Sequence, residues 1–455
     1  MSKTIDMTHG PLGKKIFTFA LPLAFTGILQ QLFNAADVAV VGQFANKYAM
    51  AAVGSNSSII NLLVSLFMGI SLGANIVIAR FTGQGDTEKI QRGVRTAIAL
   101  ALISGLLVTA VGECIAGPIL RAMGVPASVF PMAEAYLRIY LAGMPVIMLY
   151  NFESAIFRSQ GNTRTPLICL AIAGVLNVFL NLFFVIVLHM DADGVAIATV
   201  ISNLVSSAIM FVLLCREKGV LHLDIRKIRI DRRVVGGMLR VGLPSGLQGM
   251  LFSLSNIVIQ SAVNSLGADV MAASSAAFNL EIMVYYLVNA FGQANTTFVS
   301  QNYGAGKMDR CRKTVRISLL QDMGIVLIVS ALFLVLAPQL IRFFNSDPAV
   351  IHYGAIRLRW IAGSEVVNVF LEGISGAMRG YGHSLTPALI ILIGVCGFRI
   401  LYVYTFFRTH HTFNYLMMVY PMSWAVSDIG LVAAYFLMLR KLRKDDTPPT
   451  LQTEG

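Results

Sequence analysis

Long apolar segments alternate with short polar turns along the whole chain. Most of these segments run for about 20 to 30 residues, enough to cross a hydrocarbon core of about 30 Å at about 1.5 Å per residue. A bilayer interior offers backbone groups no hydrogen-bond partner, so segments that cross it must be helical. The pattern therefore predicts twelve transmembrane helices, at approximately 16–42, 50–80, 96–119, 134–158, 166–188, 194–215, 234–266, 270–300, 317–343, 356–378, 387–407 and 415–439.

The second half of the sequence repeats motifs of the first half. Three pairs of motifs recur at nearly the same offset: Leu21-Pro22 with Leu243-Pro244, Ala74-Asn75 with Ala294-Asn295, and Arg158-x-x-Gly161-x-x-x-Thr165-Pro166 with Arg379-x-x-Gly382-x-x-x-Thr386-Pro387. So regular an offset indicates an internal duplication. Six helices per half is an even number, so both halves begin on the same side of the membrane. The predicted fold is an all-α polytopic membrane protein, with two six-helix repeats related by a pseudo-twofold axis along the membrane normal.

Composition agrees with this organisation and excludes a soluble protein. Hydrophobic residues make up 56% of the chain and charged residues 13%, and the mean hydropathy is +0.71. The tail is polar and contains Pro448 and Pro449, a composition typical of disorder. The predicted organisation is an N-terminal lobe, a basic cytoplasmic linker, a C-terminal lobe and a disordered cytoplasmic tail, at 1–215, 216–233, 234–442 and 443–455 respectively.

The net charge of +12 reflects membrane topology rather than the binding of a polyanion. With the N-terminus placed inside, the inside turns and termini hold 27 Lys and Arg, and the outside turns hold 7. This excess follows the positive-inside rule and predicts that both termini are cytoplasmic. The densest basic run lies in the linker and is expected to contact anionic lipid headgroups. Membrane lipids are therefore expected partners, whereas nucleic acid is not.

The sequence contains no motif that indicates an enzyme, a metal centre or a cofactor. The five cysteines are scattered without a CxxC pair, which argues against a disulfide framework and a zinc site. Gly304-Ala-Gly306-Lys307 resembles part of a phosphate-binding loop but lacks its first glycine and the Ser or Thr after the lysine. We therefore expect a protein that is not an enzyme and binds no cofactor.

One cluster of polar residues is predicted in the first half. Asp37 on the first helix, Asn181 on the fifth and Thr199 on the sixth fall at similar depths in the outer half of the membrane. Asn177 shares a helix face with Asn181 and lies a turn deeper, and Asn151 on the fourth helix lies near mid-membrane. A carboxylate ringed by amides and a hydroxyl can hold a proton, or it can supply oxygen ligands to Na⁺. The alternative interpretation is a hydrogen-bonded cluster that joins helices.

The second half carries its own charged residues inside predicted helices. Glu281 lies on the eighth helix, and Glu365, Asn368 and Glu372 form one polar stripe on the tenth, so these are candidates for polar or substrate contacts. Arg399, midway along the eleventh helix, is either part of a structural ion pair or part of the transport site. It needs an acidic partner, for which the candidates are Glu365, Glu372 and Asp428.

Pro22 and Pro244 occupy equivalent places in the first helix of each half. A proline inside a helix removes a backbone hydrogen bond and bends the helix. Because the duplication accounts for both prolines, we expect at least that the first helix of each half bends at its proline. A hinge that lets the half-helix move when a nearby group titrates is the functional interpretation.

Several motifs together resemble the multidrug and toxic compound extrusion (MATE) family in its prokaryotic form, over residues 12–440. The motifs are Pro22 followed by Asp37 and Gly42, Phe157-Arg158-x-x-Gly161, Leu176-Asn177-x-x-x-Asn181, Gly194-Val195-Ala196-Ile197-Ala198-Thr199, Gly292-Gln293-Ala294, Ser300-Gln301-Asn302-Tyr303-Gly304-Ala305-Gly306 and Met378-Arg379-Gly380-Tyr381-Gly382. Each motif alone is modest, and their order and spacing carry the resemblance.

The resemblance implies two six-helix lobes, alternating access, and export of amphipathic, often cationic compounds in exchange for inward H⁺ or Na⁺. It implies a monomer in the bacterial plasma membrane. The acid of the first helix in such proteins is a coupling residue and matches Asp37. The positions that complete the site match Asn151, Asn177, Asn181 and Thr199. Asn181 stands where many members have Asp, which removes a negative charge from the site, so the sequence favours H⁺ while leaving Na⁺ open.

Two other classes of function stay open at this point. A flippase for lipid-linked oligosaccharides or cell-wall precursors has a similar repeat, but it typically has fourteen helices and a cationic cavity. In this chain the candidate acids outnumber Arg399. A channel or receptor without coupled exchange is the other alternative, although a duplication with embedded titratable groups favours an exchanger.

Overall fold

The computed structural model describes residues 4–45 and 47–444, except for the side chains of Lys47, Ser58 and Lys444. Within those ranges the chain is helical and contains no β-strand. The predicted tail therefore lies outside the described residues from position 445 onward. In chain order the helices are α1 Leu12–Phe44, α2 Lys47–Gln84, α3 Thr87–Ala122, α4 Phe130–Ala142, α5 Met144–Ser159, α6 Arg164–Leu182, α7 Ala192–Arg216, α8 Arg232–Asn264, α9 Ala268–Gly304, α10 Met308–Arg342, α11 Pro348–Gly380, α12 Leu385–Ile391, α13 Phe398–Tyr402, α14 Phe413–Met417 and α15 Val419–Lys444.

The helices account for the predicted membrane spans. Among the described residues, ten helical segments are long and apolar enough to cross a membrane, and α4 with α5 forms an eleventh span bent by 47°. Helix α11 has 33 residues but does not meet the same apolarity criterion. It carries five charged side chains, at Arg357, Arg359, Glu365, Glu372 and Arg379. With α11 included, the described helices match the twelve predicted spans.

Several helices extend beyond the apolar segments that predict them. Helix α3 begins at Thr87, where the side chain of Asp86 accepts a hydrogen bond from the backbone of Lys89. Helix α11 begins at Pro348, where the side chain of Asp347 accepts from two backbone groups of the first turn. These capping residues satisfy the free N–H groups of the first turn, so each helix starts in the polar turn outside the apolar run.

The fourth predicted span is broken, whereas the sequence pattern predicts a continuous helix. The break lies at Gly143, between α4 and α5. A Cβ on Gly143 would lie 2.4 Å from the side chain of Val200, so glycine permits the close approach of α7 at this point. Pro145 follows in the first turn of α5, and its missing N–H group cannot continue the hydrogen bonding of α4. Wider π-helical turns also occur at 183–187, 392–397 and 403–407.

The described chain divides into two compact units. The first contains residues 4–5 and 25–242, and the second contains residues 6–24 and 243 to the end of the described chain. The lobe boundaries drawn from the sequence stay predictions, since the compact units are divided at other positions. Each division falls inside a helix, two residues from Pro22 in α1 and two residues from Pro244 in α8.

The duplication is visible in matching contacts inside each unit. In the first unit the Asn75 side chain on α2 donates a hydrogen bond to the carbonyl of Ala155 on α5, at 3.2 Å. In the second unit the Asn295 side chain on α9 donates to the carbonyl of Gly373 on α11, at 3.1 Å. Both asparagines are buried. Within each half, the asparagine of the recurring Ala-Asn motif therefore joins the same pair of equivalent helices.

Candidate functional site

A close approach of two helices brings Asp37 of α1 next to α6. A Cβ on Gly174 of α6 would lie 1.8 Å from the ring of Phe33, so only glycine leaves room for that ring. Phe33 precedes Asp37 by one helical turn, and Gly174 precedes Asn177 and Asn181 by about one and two turns. The packing of Phe33 on Gly174 therefore places Asp37 beside the amides of α6.

Four of the predicted site residues form one hydrogen-bonded cluster. One carboxylate oxygen of Asp37 accepts from the Asn181 amide at 2.5 Å, and the other accepts from the Thr199 hydroxyl at 3.4 Å. The Asn181 amide also donates to Asn177 Oδ1 at 3.2 Å, and the Asn177 amide donates to Thr199 Oγ1 at 3.5 Å. Asn177 and Asn181 are buried, and Asp37 and Thr199 are half-buried. The cluster therefore joins α1, α6 and α7.

The cluster offers oxygen atoms to a small cation. Asn181 Oδ1 is buried and has no hydrogen-bond partner in the described chain, although its amide nitrogen is fully engaged. The other oxygens are the two of Asp37, Oδ1 of Asn177 and Oγ1 of Thr199. Hard cations prefer such carboxylate, amide and hydroxyl oxygens. The residues therefore fit a proton on Asp37 and also a Na⁺ ion among the oxygens.

Sequence reasoning missed two tyrosines near this cluster. Tyr136 and Tyr140 lie one turn apart on α4 with their rings stacked, at 6.4 Å between centroids. Both phenol groups interact electrostatically with Asp37. Their spacing of four residues on a helix is the signal that indicates a shared face. Both phenol groups therefore lie within electrostatic range of the Asp37 carboxylate.

Asn151 does not join the hydrogen bonds of this cluster. Its amide donates to the carbonyl of Ile147, one turn earlier on α5, at 2.8 Å. The side chain is buried and satisfies one of its donors within its own helix. Its predicted role in coupling stays a prediction.

In the second unit, Glu281 on α9 is held by Arg357 on α11. Both N···O distances of the pair are 2.9 Å. Arg357 falls at the outer end of the tenth predicted span, 356–378. Helix α11 begins earlier, at Pro348, so Arg357 lies well inside the helix. The acid is thus already paired with a cation.

The polar stripe predicted on α11 lies in the interior of the second unit. Glu365 accepts a hydrogen bond from the Asn368 amide at 2.8 Å. Glu372 accepts from Arg379 at 3.4 Å, and Arg379 also donates to the hydroxyl of Ser375 at 3.2 Å. All of these side chains are buried. Glu365 therefore has a neutral partner, whereas Glu372 has a cationic one.

Arg399 has no ion pair with any acid of the described chain, so the three predicted acidic partners are wrong. Its guanidinium donates to Ser423 at 3.2 Å and to the Asn256 side chain at 3.0 Å. It also lies over the rings of Phe252 and Tyr420, at 5.2 and 4.6 Å from their centroids. A delocalised, weakly hydrated guanidinium is stabilised by aromatic faces and neutral oxygens. Glu365 acts on Arg399 only through longer-range electrostatics.

Sequence reasoning also missed Asp322 on α10. Its side chain is buried, with 1% exposure. Neither carboxylate oxygen has a hydrogen-bond partner in the described chain. The signal in the sequence is a lone acid inside the apolar segment 317–343. An acid inside a membrane span has a high free-energy cost, so its presence indicates a function.

Comparison with known proteins assigns both halves of the chain to one family. The family model described as MatE matches residues 22–183 and again residues 244–405. The two matches begin at Pro22 and Pro244, the equivalent prolines of the duplication. Together they cover more than half of the chain, and they account for the repeat seen in the sequence.

Curated relatives and solved structures resemble the chain over most of its length. It is 27% identical over 435 residues to the probable multidrug resistance protein YoeA of Bacillus subtilis strain 168, with 93% of each chain covered. It is 25% identical over 387 residues to the probable multidrug resistance protein NorM of Thermotoga maritima, covering 84% of this chain and 83% of that protein. A structure described as "Outward-facing conformation of a multidrug resistance MATE family transporter of the MOP superfamily" superimposes with a TM-score of 0.89 at 22% identity, covering 97% of this chain and 100% of that one. The fold is therefore the same.

Proposed function

Because the chain belongs to the MatE family of polytopic membrane transporters, we propose that it is a secondary active antiporter for amphipathic, cationic compounds. It exports these compounds by alternating access in exchange for inward H⁺ or Na⁺. The names of the relatives, probable multidrug resistance proteins, support this class of substrate. On this proposal the chain acts as a monomer in the bacterial plasma membrane, with both termini cytoplasmic.

The observation that carries the proposal is the hydrogen bonding of Asp37. This carboxylate on α1 accepts hydrogen bonds from Asn181 on α6 and Thr199 on α7. An ionised carboxylate inside a membrane is energetically unfavourable. When only neutral donors bind it, a proton or a small cation can bind and neutralise its charge. A helix interface built on this carboxylate is therefore sensitive to ion binding.

Ion binding at Asp37 changes the forces that hold α1 against its neighbours. An ionised carboxylate accepts charge-assisted hydrogen bonds, which are about twice as strong as neutral ones. When Asp37 takes up a proton, its bonds from Asn181 and Thr199 weaken, and α1 is held less firmly against α6 and α7. Pro22 lies fifteen residues earlier in the same helix and supplies a flexible point there. This series of events links ion uptake to a change in helix packing.

The charge of the cluster favours H⁺ over Na⁺ as the coupling ion. Asp37 is the only acid among the four hydrogen-bonded residues, since Asn181 contributes a neutral amide. A single carboxylate gives Na⁺ one ligand charge, whereas it is sufficient to bind one proton. Na⁺ at Asp37, Asn177, Asn181 and Thr199 is the alternative ion, with the unpartnered oxygen of Asn181 as an additional ligand.

The test is efflux of a fluorescent organic cation from proteoliposomes under an imposed pH gradient or an imposed Na⁺ gradient. We expect the pH gradient to drive transport by the wild type. The Asp37→Asn variant should lose that drive because its amide cannot exchange a proton. Asp193→Asn, an acid in the first turn of α7 outside the cluster, should transport like the wild type.

The same assay can overturn the proposal. If neither gradient moves any tested cation and Asp37→Asn behaves like the wild type, then coupled drug export is wrong, and lipid-linked substrates become the next class to test. If only the Na⁺ gradient drives transport, the antiporter stands and the favoured ion is wrong.

A further inference from the structure

Asp322 is a buried acid in the second unit that the Asp37 mechanism does not use. Its side chain is 1% exposed, and both carboxylate oxygens lack a hydrogen-bond partner within the described chain. No Lys, Arg or His of the described residues forms an ion pair with it. An ionised carboxylate in such surroundings is strongly unfavourable, and a buried acid in that situation becomes neutral by binding a proton.

Apolar residues pack next to Asp322 and occupy the equivalent position of the first half. One turn further along α10, Val326 packs with Val288 and Val369 in a fully buried apolar cluster. The offset that relates Arg379 to Arg158 also relates Asp322 to Ala101 of α3, and Ala101 is buried as well. The corresponding helix of the first half therefore packs with an apolar residue there. The acid has no counterpart at the equivalent position of the first half.

Two other carboxyl groups lie near Asp322. Helix α10 packs against α11, which runs in the opposite direction. Asp322 lies about four turns after the start of α10, and Glu365 lies about four turns before the end of α11, so both lie at the same depth. Asp322 interacts electrostatically with both Glu365 and Glu372, and the interaction with Glu365 is the stronger one. The unpartnered acid therefore lies within electrostatic range of two carboxyl groups.

We propose that Asp322, Glu365 and Glu372 form a proton-binding site in the second unit, in which Asp322 is protonated at neutral pH. The proton resides on one of the Asp322 oxygens, and Glu365 is the carboxyl group that interacts with Asp322 most strongly. Among the described residues, Glu365 has only the Asn368 amide as a direct partner, and it can take over that proton. Glu372 is already paired with Arg379, at 3.4 Å. Of the other charged or titratable groups, Glu281, Tyr285 and Arg399 interact electrostatically with Glu365, and Arg357 is the ion-pair partner of Glu281.

This site would give the chain one protonatable carboxyl centre in each unit, Asp37 in the first and Asp322 with Glu365 in the second. The inference does not depend on drug export, because it concerns proton binding by the folded protein alone. If the chain is an H⁺-coupled antiporter, the second centre raises the number of protons that one transport cycle can move from one to two.

Infrared difference spectroscopy of the purified full-length protein in lipid nanodiscs tests the proposal. The probe is the proton itself, supplied by a change from neutral to alkaline pH. The wild type should show loss of a carbonyl-stretching band from protonated carboxylic acid. Part of that band should be absent in Asp322→Asn and should shift in protein made with isotope-labelled aspartate. In Glu365→Gln the Asp322 band should persist at a changed frequency, since its proton has a new neighbour.

Asp309→Asn is the matched control, because Asp309 lies on the same helix with a side chain that is 90% exposed. Its spectrum should equal that of the wild type. An unchanged band in folded Asp322→Asn would overturn the proposal. Should Asp322→Asn fail to fold, an unchanged band frequency in Glu365→Gln would overturn it equally. Loss of the Asp322 band on addition of Na⁺ at constant pH would support the proposal, because Na⁺ can displace only a proton that is bound there.

Discussion

Arg357 and Glu281 form a bidentate ion pair inside the second unit, with two N···O distances of 2.9 Å. Their side chains are only 6% and 10% exposed. The planar guanidinium matches the two oxygens of the carboxylate, which makes this one of the strong forms of charge-assisted hydrogen bond. Because both groups are removed from water, neither is tolerated without the other, and the pair ties α9 to α11.

Removal of one partner should therefore be much more harmful than removal of both. Arg357→Met leaves Glu281 buried and unpaired and should lower the free energy of unfolding by about 3–5 kcal/mol. The double variant Arg357→Met with Glu281→Leu should recover most of that loss. Denaturant unfolding in detergent measures the change, with fluorescence of Trp360 and Trp424 as a reporter, since both tryptophans of the chain lie in the second unit.

The control for this cycle is an exposed pair of the same unit. Arg312 lies 3.6 Å from Asp309, with side chains 43% and 90% exposed. Exposed ion pairs contribute about 0–1 kcal/mol, so Arg312→Met should scarcely change the free energy of unfolding. A double variant that is as unstable as Arg357→Met alone would show that packing around the pair, rather than its charge, is what stabilises the unit.

A second prediction concerns the contact of α2 with the first part of α8 in the first unit. A Cβ on Gly73 would lie 2.1 Å from the carbonyl oxygen of Met238 and 2.9 Å from the backbone nitrogen of Gly242. Backbone atoms of a packed helix cannot yield to such a contact. Gly73→Ala should therefore destabilise the protein by about 1–3 kcal/mol through overpacking. The apparent melting temperature in detergent, followed by size-exclusion chromatography after heating, measures the loss.

Gly54 on the same helix provides the matched control. A Cβ at Gly54 meets no atom within 4 Å. Alanine favours a helix over glycine by about 1 kcal/mol, so Gly54→Ala should leave the melting temperature unchanged or raise it. Equal effects of the two substitutions would contradict the close packing of α2 against α8.

A third prediction follows from the cap of α3. The Asp86 carboxylate accepts a hydrogen bond from the backbone N–H of Lys89, and this bond holds the pKa of Asp86 below its ordinary value. A lowered pKa in the folded state means that the stabilisation is complete above the unfolded value of about 3.9 and is lost as the pH falls through the folded value. The cap should therefore be intact at neutral pH and be lost below about pH 4.

Hydrogen exchange of the first-turn amides of α3 measures this cap. Relative to the intrinsic rate, exchange should accelerate in the wild type only at acidic pH, and in Asp86→Ala already at neutral pH. Asp86→Asn keeps an oxygen acceptor that does not titrate, so its protection should not change with pH. Protection in Asp86→Ala equal to that of the wild type at neutral pH would show that the cap does not hold the turn.

The helices and the first-unit cluster follow from the sequence for clear physical reasons. In an apolar segment that spans a bilayer, the backbone can satisfy its hydrogen bonds within the segment only by forming a helix. Because the rise per residue of a helix is fixed, counting residues from the helix ends brings Asp37, Asn181 and Thr199 to one level. The structure then joins these three side chains by hydrogen bonds.

Features that depend on contacts between distant segments could not be predicted in this way. The break at Gly143 depends on the approach of Val200, which lies far along the chain on α7, and no local pattern encodes that contact. Arg357 lies at the polar end of an apolar run, and only the fold shows its pairing with Glu281. Arg399 is stabilised by aromatic rings and neutral oxygens, which a search for opposite charges does not find.

The last prediction concerns the choice of ion at Asp37. Asn181→Asp would place a second carboxylate at hydrogen-bond distance from the first, with no gain in side-chain volume. Two carboxylates repel each other, and Na⁺ among the oxygens of the cluster relieves that repulsion. Na⁺ affinity should therefore rise at least about tenfold, which corresponds to about 1.4 kcal/mol. Isothermal titration calorimetry with NaCl against KCl, at constant ionic strength, measures it.

Asn162→Asp, in the turn before α6, adds the same charge where its side-chain oxygen already caps the Thr165 N–H group, and it should leave Na⁺ affinity unchanged. Equal Na⁺ affinities in the wild type and Asn181→Asp would show that the charge at position 181 does not select the ion.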